Sequence, residues 1–197
     1  MQLRDGAIYG VHAAFWAAFG ITQRFVGVGS AVKEAAPAAA VPRTAPYSRL
    51  VLGVHFSAFA VMYIGVSSAV VPGRVPAWFP GQRLAGTAVM ALGAWAMCWS
   101  LVYFRSWRFR AQLDAGHELA TGGPYRLVRH PIYLGMNLLA LGTAVWVPTL
   151  LTWIAAALMF LGSDLRGRAE ERVLADAFGE HYRAYCARTR RFVPGVY

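Results

Sequence analysis

Charge is scarce in this 197-residue chain: only 14% of its residues carry one, where about a quarter is usual in a soluble domain. Acidic residues number nine, and lysine occurs once, as Lys33, so 18 of the 19 basic residues are arginine. Cysteine is nearly absent. Cys98 and Cys186 stand far apart with no CxxC or His/Cys ligand spacing, which excludes a disulfide framework and a recognisable zinc site. The N-terminus lacks the shape of a cleavable signal. Asp5 offsets Arg4 and no A-x-A site follows a short apolar core, so the first apolar segment is expected to be retained. There is no internal repeat.

What fills the chain instead is apolar: 57% of residues, with a mean hydropathy of +0.42. That is the composition of a membrane protein, and the length suits one domain. The net charge of +10 raises the question of nucleic acid. The arginines answer it by sitting at the ends of apolar segments, where a membrane protein needs them, and no nucleic-acid partner is expected.

Apolar stretches cover residues 7–22, 50–71 and 84–104, and an uncharged run covers 131–163. A spanning helix needs about 20 apolar residues, so the first three stretches are read as full spans. The last run is long for one crossing and short for two. Pro148 is its natural break, because proline removes a backbone donor, which predicts a hairpin of helices 132–147 and 149–162. Backbone in lipid must satisfy its own hydrogen bonds, which leaves helices as the spanning elements. The expected fold is therefore all-α and polytopic. Three transmembrane spans occupy 1–104, a loop 105–131, a short helical hairpin 132–162, and C-terminal helices 163–197, with an interruption at Gly179. The Pro/Ala-rich segment 34–46 reads as a linker, and 72–82 as a tight turn with Trp78 and Phe79 at an interface.

Three crossings divide the basic residues 16 to 3 between the two sides. The positive-inside rule then puts the N-terminus outside, and the loop 105–130 and the tail in the cytoplasm. That topology gathers His117, Glu118, Tyr125, Arg129, His130, Tyr133, Arg166, Glu170 and Glu171 on one face. GGPY at 122–125 is turn chemistry. Pro131 suits the first position of a helix, whose free N–H groups would face the same pocket and suit an anion.

The paired pattern GPY…RHPxYxG, an uncharged hairpin, then RxxxEE…FGxxYxxY resembles the isoprenylcysteine carboxyl methyltransferase family, over about residues 117–194. These are integral-membrane enzymes using S-adenosylmethionine. The resemblance implies cofactor-binding positions at His117, Glu118, Leu119 and Ala120, at Tyr125, at His130, Pro131, Ile132 and Tyr133, and at Glu170. It implies a substrate-side role for Arg166, with Arg129 as a second catalytic candidate and no metal. Enzymes of that family acting on isoprenylcysteine can carry a glutamine seven residues before the first histidine. Here that residue is Arg110, and Gln112 is out of register.

The chemistry fits the residue types. Glu170 would accept charge-assisted hydrogen bonds from an amino group, although a solvated pairing with Arg166 would look the same in sequence. Tyr125 and Tyr133 could face a sulfonium through their rings or merely line an interface. His130 could donate to a cofactor carboxylate or cap the helix. Arg166 and Arg129 could neutralise an anionic acceptor or simply snorkel. Glu171, about 100° round an ideal helix from Glu170, is expected to be structural. His12, His55 and Asn137 are expected to be interhelical hydrogen-bonding groups, since neither of the first two spans holds an acidic partner. The expected acceptor is a lipophilic or small molecule (a prenylcysteine-like carboxylate, a phospholipid headgroup or a thiol) reaching the site from membrane lipid. The rival readings are an NADPH-dependent membrane sterol or enone reductase and a non-enzymatic membrane adaptor.

Overall fold

The computed structural model describes residues 3–30, 43–44, 48–104, 112–113 and 119–197. The linker expected at 34–46 lies outside them apart from Arg43 and Thr44, as do His117 and Glu118. The elements are α1 (Leu3–Ser30), β1 (Arg43–Thr44), α2 (Ser48–Val70), α3 (Gln82–Phe104), β2 (Gln112–Leu113), a 3₁₀ turn (Gly123–Arg126), α4 (Pro131–Trp146) and α5 (Leu150–Arg188). β1 and β2 form a two-residue antiparallel pair. It ties the segment after α1 to the segment after α3 and so brings both to one end of the bundle.

Three helices among the described residues are long and apolar enough to cross a membrane: α2, α3 and α5. α1 has the length, at 28 residues, but it turns Tyr9, His12 and Trp16 toward its neighbours for hydrogen bonding, which makes it less apolar than a lone span. The hairpin breaks where the sequence places the break, at Val147–Thr149. Thr149 caps α5 by a reciprocal exchange with Thr152.

The second arm of the hairpin does not end near residue 162. It continues into the tail without a break as far as Phe178, about 43 Å at 1.5 Å per residue, and resumes after a kink at Gly179 to end at Arg188. Lipid can cover only about 30 Å of that, so α5 carries its charged half, from Asp164 onward, out of the apolar layer. Nothing stops the helix earlier. Between Leu150 and Phe178 there is no proline, Gly162 and Gly167 keep helical backbone, and Ser163 and Asp164 change polarity alone. The stop comes at Gly179, as the sequence predicts, where φ is 52° and a side chain would be strained.

Packing is set by small residues. α3 lies mainly on α4, α2 mainly on α5, and α1 on α3. At the α3–α4 contact Gly86 faces Gly142 and Gly93 faces Gly135. A Cβ on either member of a pair would come within 2.6–2.7 Å of the partner's carbonyl oxygen. Both pairs repeat at seven residues, so one stripe of bare backbone lets the two helices touch. Gln82 at the start of α3 donates to the carbonyls of Trp146 and Pro76. The end of α4 therefore reaches the level where α3 begins, and the hairpin traverses the bundle.

Candidate active site

The charged end of the molecule is assembled around the start of α4. After the 3₁₀ turn the chain runs beside the end of the tail. Arg129 N–H donates to the Arg190 carbonyl at 2.7 Å and His130 N–H to the Arg191 carbonyl at 3.1 Å. The kink at Gly179 lets the last part of α5 fold under this segment, where the Tyr185 hydroxyl donates to the Tyr125 carbonyl at 2.7 Å. Loop and tail thus hold each other by backbone.

His130 is buried, 7% exposed, between two carboxylates of adjacent residues. Its Nε2 lies 3.1 Å from Glu171 Oε1 and its Nδ1 3.6 Å from Glu170 Oε2. Burial works against a charged ring, but the hydrogen bonds and charges of the two glutamates outweigh it and raise the His130 pKa. With both nitrogens facing anions, the imidazolium is the matching form. The glutamates respond in the opposite sense. Burial alone would raise the Glu171 pKa, yet hydrogen bonds from His130, Arg191 and Arg129 push it far down. Glu170 is lowered against its own burial by His130, Arg166 and Tyr133.

The two glutamates divide the surroundings. Glu171 accepts from Arg129 Nε at 2.9 Å and from Arg191 Nε and Nη2 at 3.0 and 2.7 Å, so it is the anion of a structural knot, as its place on the helix suggests. Arg129 is engaged there as well, donating also to the carbonyls of Cys186 and Thr189. Glu170 faces the other way. Its Oε1 accepts from the Tyr133 hydroxyl at 2.5 Å and from Arg166 Nε at 3.2 Å, and the side chain keeps 22% exposure.

Tyr133 and Arg166 are where this cluster meets an apolar crevice. The Arg166 guanidinium sits 5.4 Å from the Tyr133 ring centroid, and both residues line a cavity of about 320 Å³ between α1 and α2. Aromatic side chains, among them Trp16, Phe56 and Phe59, make up much of its wall.

The structure thus brings together His130, Tyr133, Arg166 and Glu170 from the expected set, with Pro131 and Ile132 buried beside them in the first turn of α4. Tyr125 is buried, its pKa raised by burial and then by the charge of Glu170. Leu119 and Ala120 are half-buried in irregular backbone ahead of the turn. His117 and Glu118 lie outside the described residues. His12, His55 and Asn137 each bond across helices: to Thr143 and Tyr63, to Ser163, and to Ser163 respectively.

Two parts of the site escaped the sequence. The tail network was one: Arg191 also binds Asp164 at 2.8 Å, and the Tyr197 hydroxyl donates to Asp164 at 2.7 Å. A run of basic residues gives no hint of which arginine is buried. The crevice was the other. Its signal was present in the i, i+3, i+4 spacing of Trp16 and Phe19 in α1 and of Leu52, His55, Phe56, Phe59 and Tyr63 in α2.

These features are those of a polytopic membrane protein with a polar site set against an apolar crevice. The family model for phospholipid methyltransferase matches residues 82–181, half of the chain and all of α4, and the chain belongs to that family. It is similar to two curated relatives named probable protein-S-isoprenylcysteine O-methyltransferase, from Oryza sativa subsp. indica and subsp. japonica. Each is 34% identical over 88 residues, 44% of this chain. The chain covers 46% of the length of each relative.

Proposed function

We propose that the protein is a membrane methyltransferase. It would use S-adenosylmethionine and methylate the carboxylate of a lipophilic, prenylcysteine-like acceptor. The observation that carries this reading is the shared wall. Tyr133 and Arg166 belong at once to the polar cluster of Glu170 and to the apolar crevice. A water-soluble cofactor and a lipid-soluble acceptor can therefore meet there without either crossing the other's medium. The family match favours this reading over a reductase or an adaptor.

The donor set fits the cofactor. Glu170 keeps 22% side-chain exposure, and a carboxylate has more lone pairs than its contacts with Tyr133, Arg166 and His130 use, which leaves it able to accept from an ammonium. The first-turn N–H groups of α4, at Ile132 and Tyr133, have no intrahelical partner and suit a carboxylate. The ring of Tyr125 offers an aromatic face to a sulfonium, and Tyr133, whose ring already lies beside Arg166 and stacks near His130, borders the same cofactor position. The remaining cofactor positions, Leu119 and Ala120 together with His117 and Glu118, belong to the same reading. When bound, S-adenosylmethionine supplies a methyl group already activated by the positive sulfur. What this chain must supply is position and dryness. Arg166 holds the acceptor carboxylate at the mouth of the crevice, and the aromatic wall excludes water around it. A carboxylate acceptor carries no proton to remove, so no general base is required. We assign Arg129 a positioning part through Glu171 in place of the catalytic one expected from sequence.

In this reading the N-terminus lies outside and the site faces the cytoplasm, following the 16-to-3 division of basic residues. Incubation of the purified protein with radiolabelled S-adenosylmethionine and N-acetyl-S-farnesylcysteine, phosphatidylethanolamine or dodecanethiol tests it. Label is expected in the carboxylic acid, in base-labile form. Label in no acceptor, with no binding of S-adenosylhomocysteine at millimolar concentration, would overturn the proposal.

A further inference from the structure

The crevice between α1 and α2 runs to Tyr63, the lining residue of α2 farthest in sequence from Leu52. Away from Arg166 the two helices are joined by hydrogen bonds. Trp16 Nε1 donates to the Tyr63 hydroxyl oxygen at 2.9 Å, and that hydroxyl lies 3.2 Å from His12 Nδ1. His12 Nε2 lies 2.9 Å from Thr143 Oγ1 of α4. The Thr143 hydroxyl donates to the Leu139 carbonyl at 2.7 Å, so its oxygen accepts from His12. Every polar atom then has one role. His12 Nε2–H donates, Nδ1 accepts from Tyr63, and Tyr63 accepts from Trp16. One turn further along, Tyr9 and Ser67 join hydroxyl to hydroxyl at 3.1 Å, and Trp16 packs edge-on against Phe59 at 5.3 Å.

We infer that this clasp of His12, Trp16, Tyr63 and Thr143 is the floor of the acceptor crevice and sets the length of apolar chain it admits. The inference rests on the reading of the crevice as the acceptor site. Two measures of the same cavity give the length. Leu52 and Tyr63 both line the cavity. They are eleven residues apart on α2, about 16 Å at 1.5 Å per residue. An extended chain advances about 1.2 Å per bond, so roughly 13 bonds fit. The volume of about 320 Å³ holds roughly eleven groups of water-molecule size at about 30 Å³ each. Both point to an unbranched chain of about twelve carbons.

Discrimination here comes from excess length, not from missing length. A bilayer is as apolar as the crevice, so a chain leaving it for the protein gains little per methylene. A chain too long for the floor must displace packed side chains, which typically weakens binding about tenfold or more. Binding should therefore be nearly level up to twelve main-chain carbons and fall beyond.

The test is isothermal titration of the detergent-solubilised full chain with N-acetyl-S-alkylcysteines of 8, 12, 16 and 20 carbons. The wild type should lose about tenfold in affinity between 12 and 16. Trp16→Ala and Tyr63→Ala should move that step to 16 or 20. Tyr63→Phe, which keeps the shape of the floor and loses only the hydroxyl, should leave it at 12. Titration reads binding alone, so a step at 12 without any methyl transfer would uphold the floor and overturn the proposed activity. No step in the wild type, or the same step in folded Trp16→Ala and Tyr63→Ala, would overturn the floor.

Discussion

His12 and His130 are both almost wholly buried, at 3% and 7% exposure, yet their surroundings treat the ring in opposite ways. Both hydrogen-bond partners of His12 are hydroxyls, those of Tyr63 and Thr143, so a neutral imidazole with one donor and one acceptor completes the network. Around His130 both nitrogens meet carboxylates, which favour the charged ring against its burial. The first arrangement suits the lipid-covered part of the bundle, where an uncompensated charge is costly. The second suits the rim, where Glu170, Glu171 and Asp164 lie among Arg129, Arg166 and Arg191. The comparison shows that a buried histidine in this chain is glue or charge according to the number of carboxylates it touches. It also separates the part of the molecule that holds shape from the part that can do chemistry.

The largest effect that would break this division is the loss of Glu171. It is the shared anion of Arg129, His130 and Arg191. Glu171→Gln leaves the buried His130 and the part-buried Arg129 and Arg191 facing a neutral amide, and removing one partner of a buried ion pair costs about 3–5 kcal/mol, the upper bound for this part-buried site. Chemical denaturation in detergent should register a loss within that bound. Its neighbour should behave differently. Glu170→Gln removes the charge facing Arg166 and His130 but leaves the Tyr133 hydroxyl and Arg166 an amide oxygen, so its loss of stability should be the smaller of the two. If Glu170 receives the cofactor ammonium, affinity for S-adenosylhomocysteine falls by about 10- to 100-fold, as expected for a charged hydrogen bond worth about 1.5–3 kcal/mol. Equal losses of stability in the two variants would erase the distinction drawn between adjacent carboxylates.

Much of this arrangement was legible in the chain. Hydropathy marked the apolar helices, Pro148 the hairpin and Gly179 the kink, because each rests on a local rule of backbone or solvent. The GPY, RHPxY and RxxxEE segments flagged most of the cluster, since charge beside long apolar runs is costly unless it is used. The continuity of α5 was not legible. A change from apolar to charged residues marks a change of medium, and a helix carries through it when no proline intervenes. Nor could the sequence tell Arg191, locked onto Glu171 and Asp164, from Arg190 beside it. Both are basic residues in a tail, and only the docking of that tail against residues 128–130 turns one of them inward. The crevice was hidden for a related reason. Aromatic spacing on α1 and α2 shows two faces, but not that the faces stand apart.

A smaller effect sharpens the comparison from the neutral side. His12→Phe keeps an aromatic ring against Tyr63 but leaves the Tyr63 hydroxyl without its acceptor. Hydrogen bonds between membrane helices average about 0.6 kcal/mol, so the cost should be about 1 kcal/mol or less, well below that of Glu171→Gln. Thermal denaturation of both variants in one detergent gives the ratio. A His12→Phe loss as large as that of Glu171→Gln would mean that the clasp carries far more than ordinary hydrogen bonds.

The smallest expected effect is a slope in pH. A group whose pKa is higher in the fold than in the unfolded chain stabilises the fold fully below its unfolded value and loses that contribution as pH rises through its folded value. His130 is such a group, with an unfolded value near 6.5. Glu171, depressed instead, stays ionised across neutral and alkaline pH and adds no slope there, and the arginines keep their protons throughout. From pH 6.5 upward the wild type should therefore lose stability, by about 2 °C in Tm for a part-loss near 1 kcal/mol. His130→Asn should begin lower and run level. A wild-type curve as flat as that of the variant would mean that His130 is neutral between its glutamates, and the two histidines would then not differ in kind.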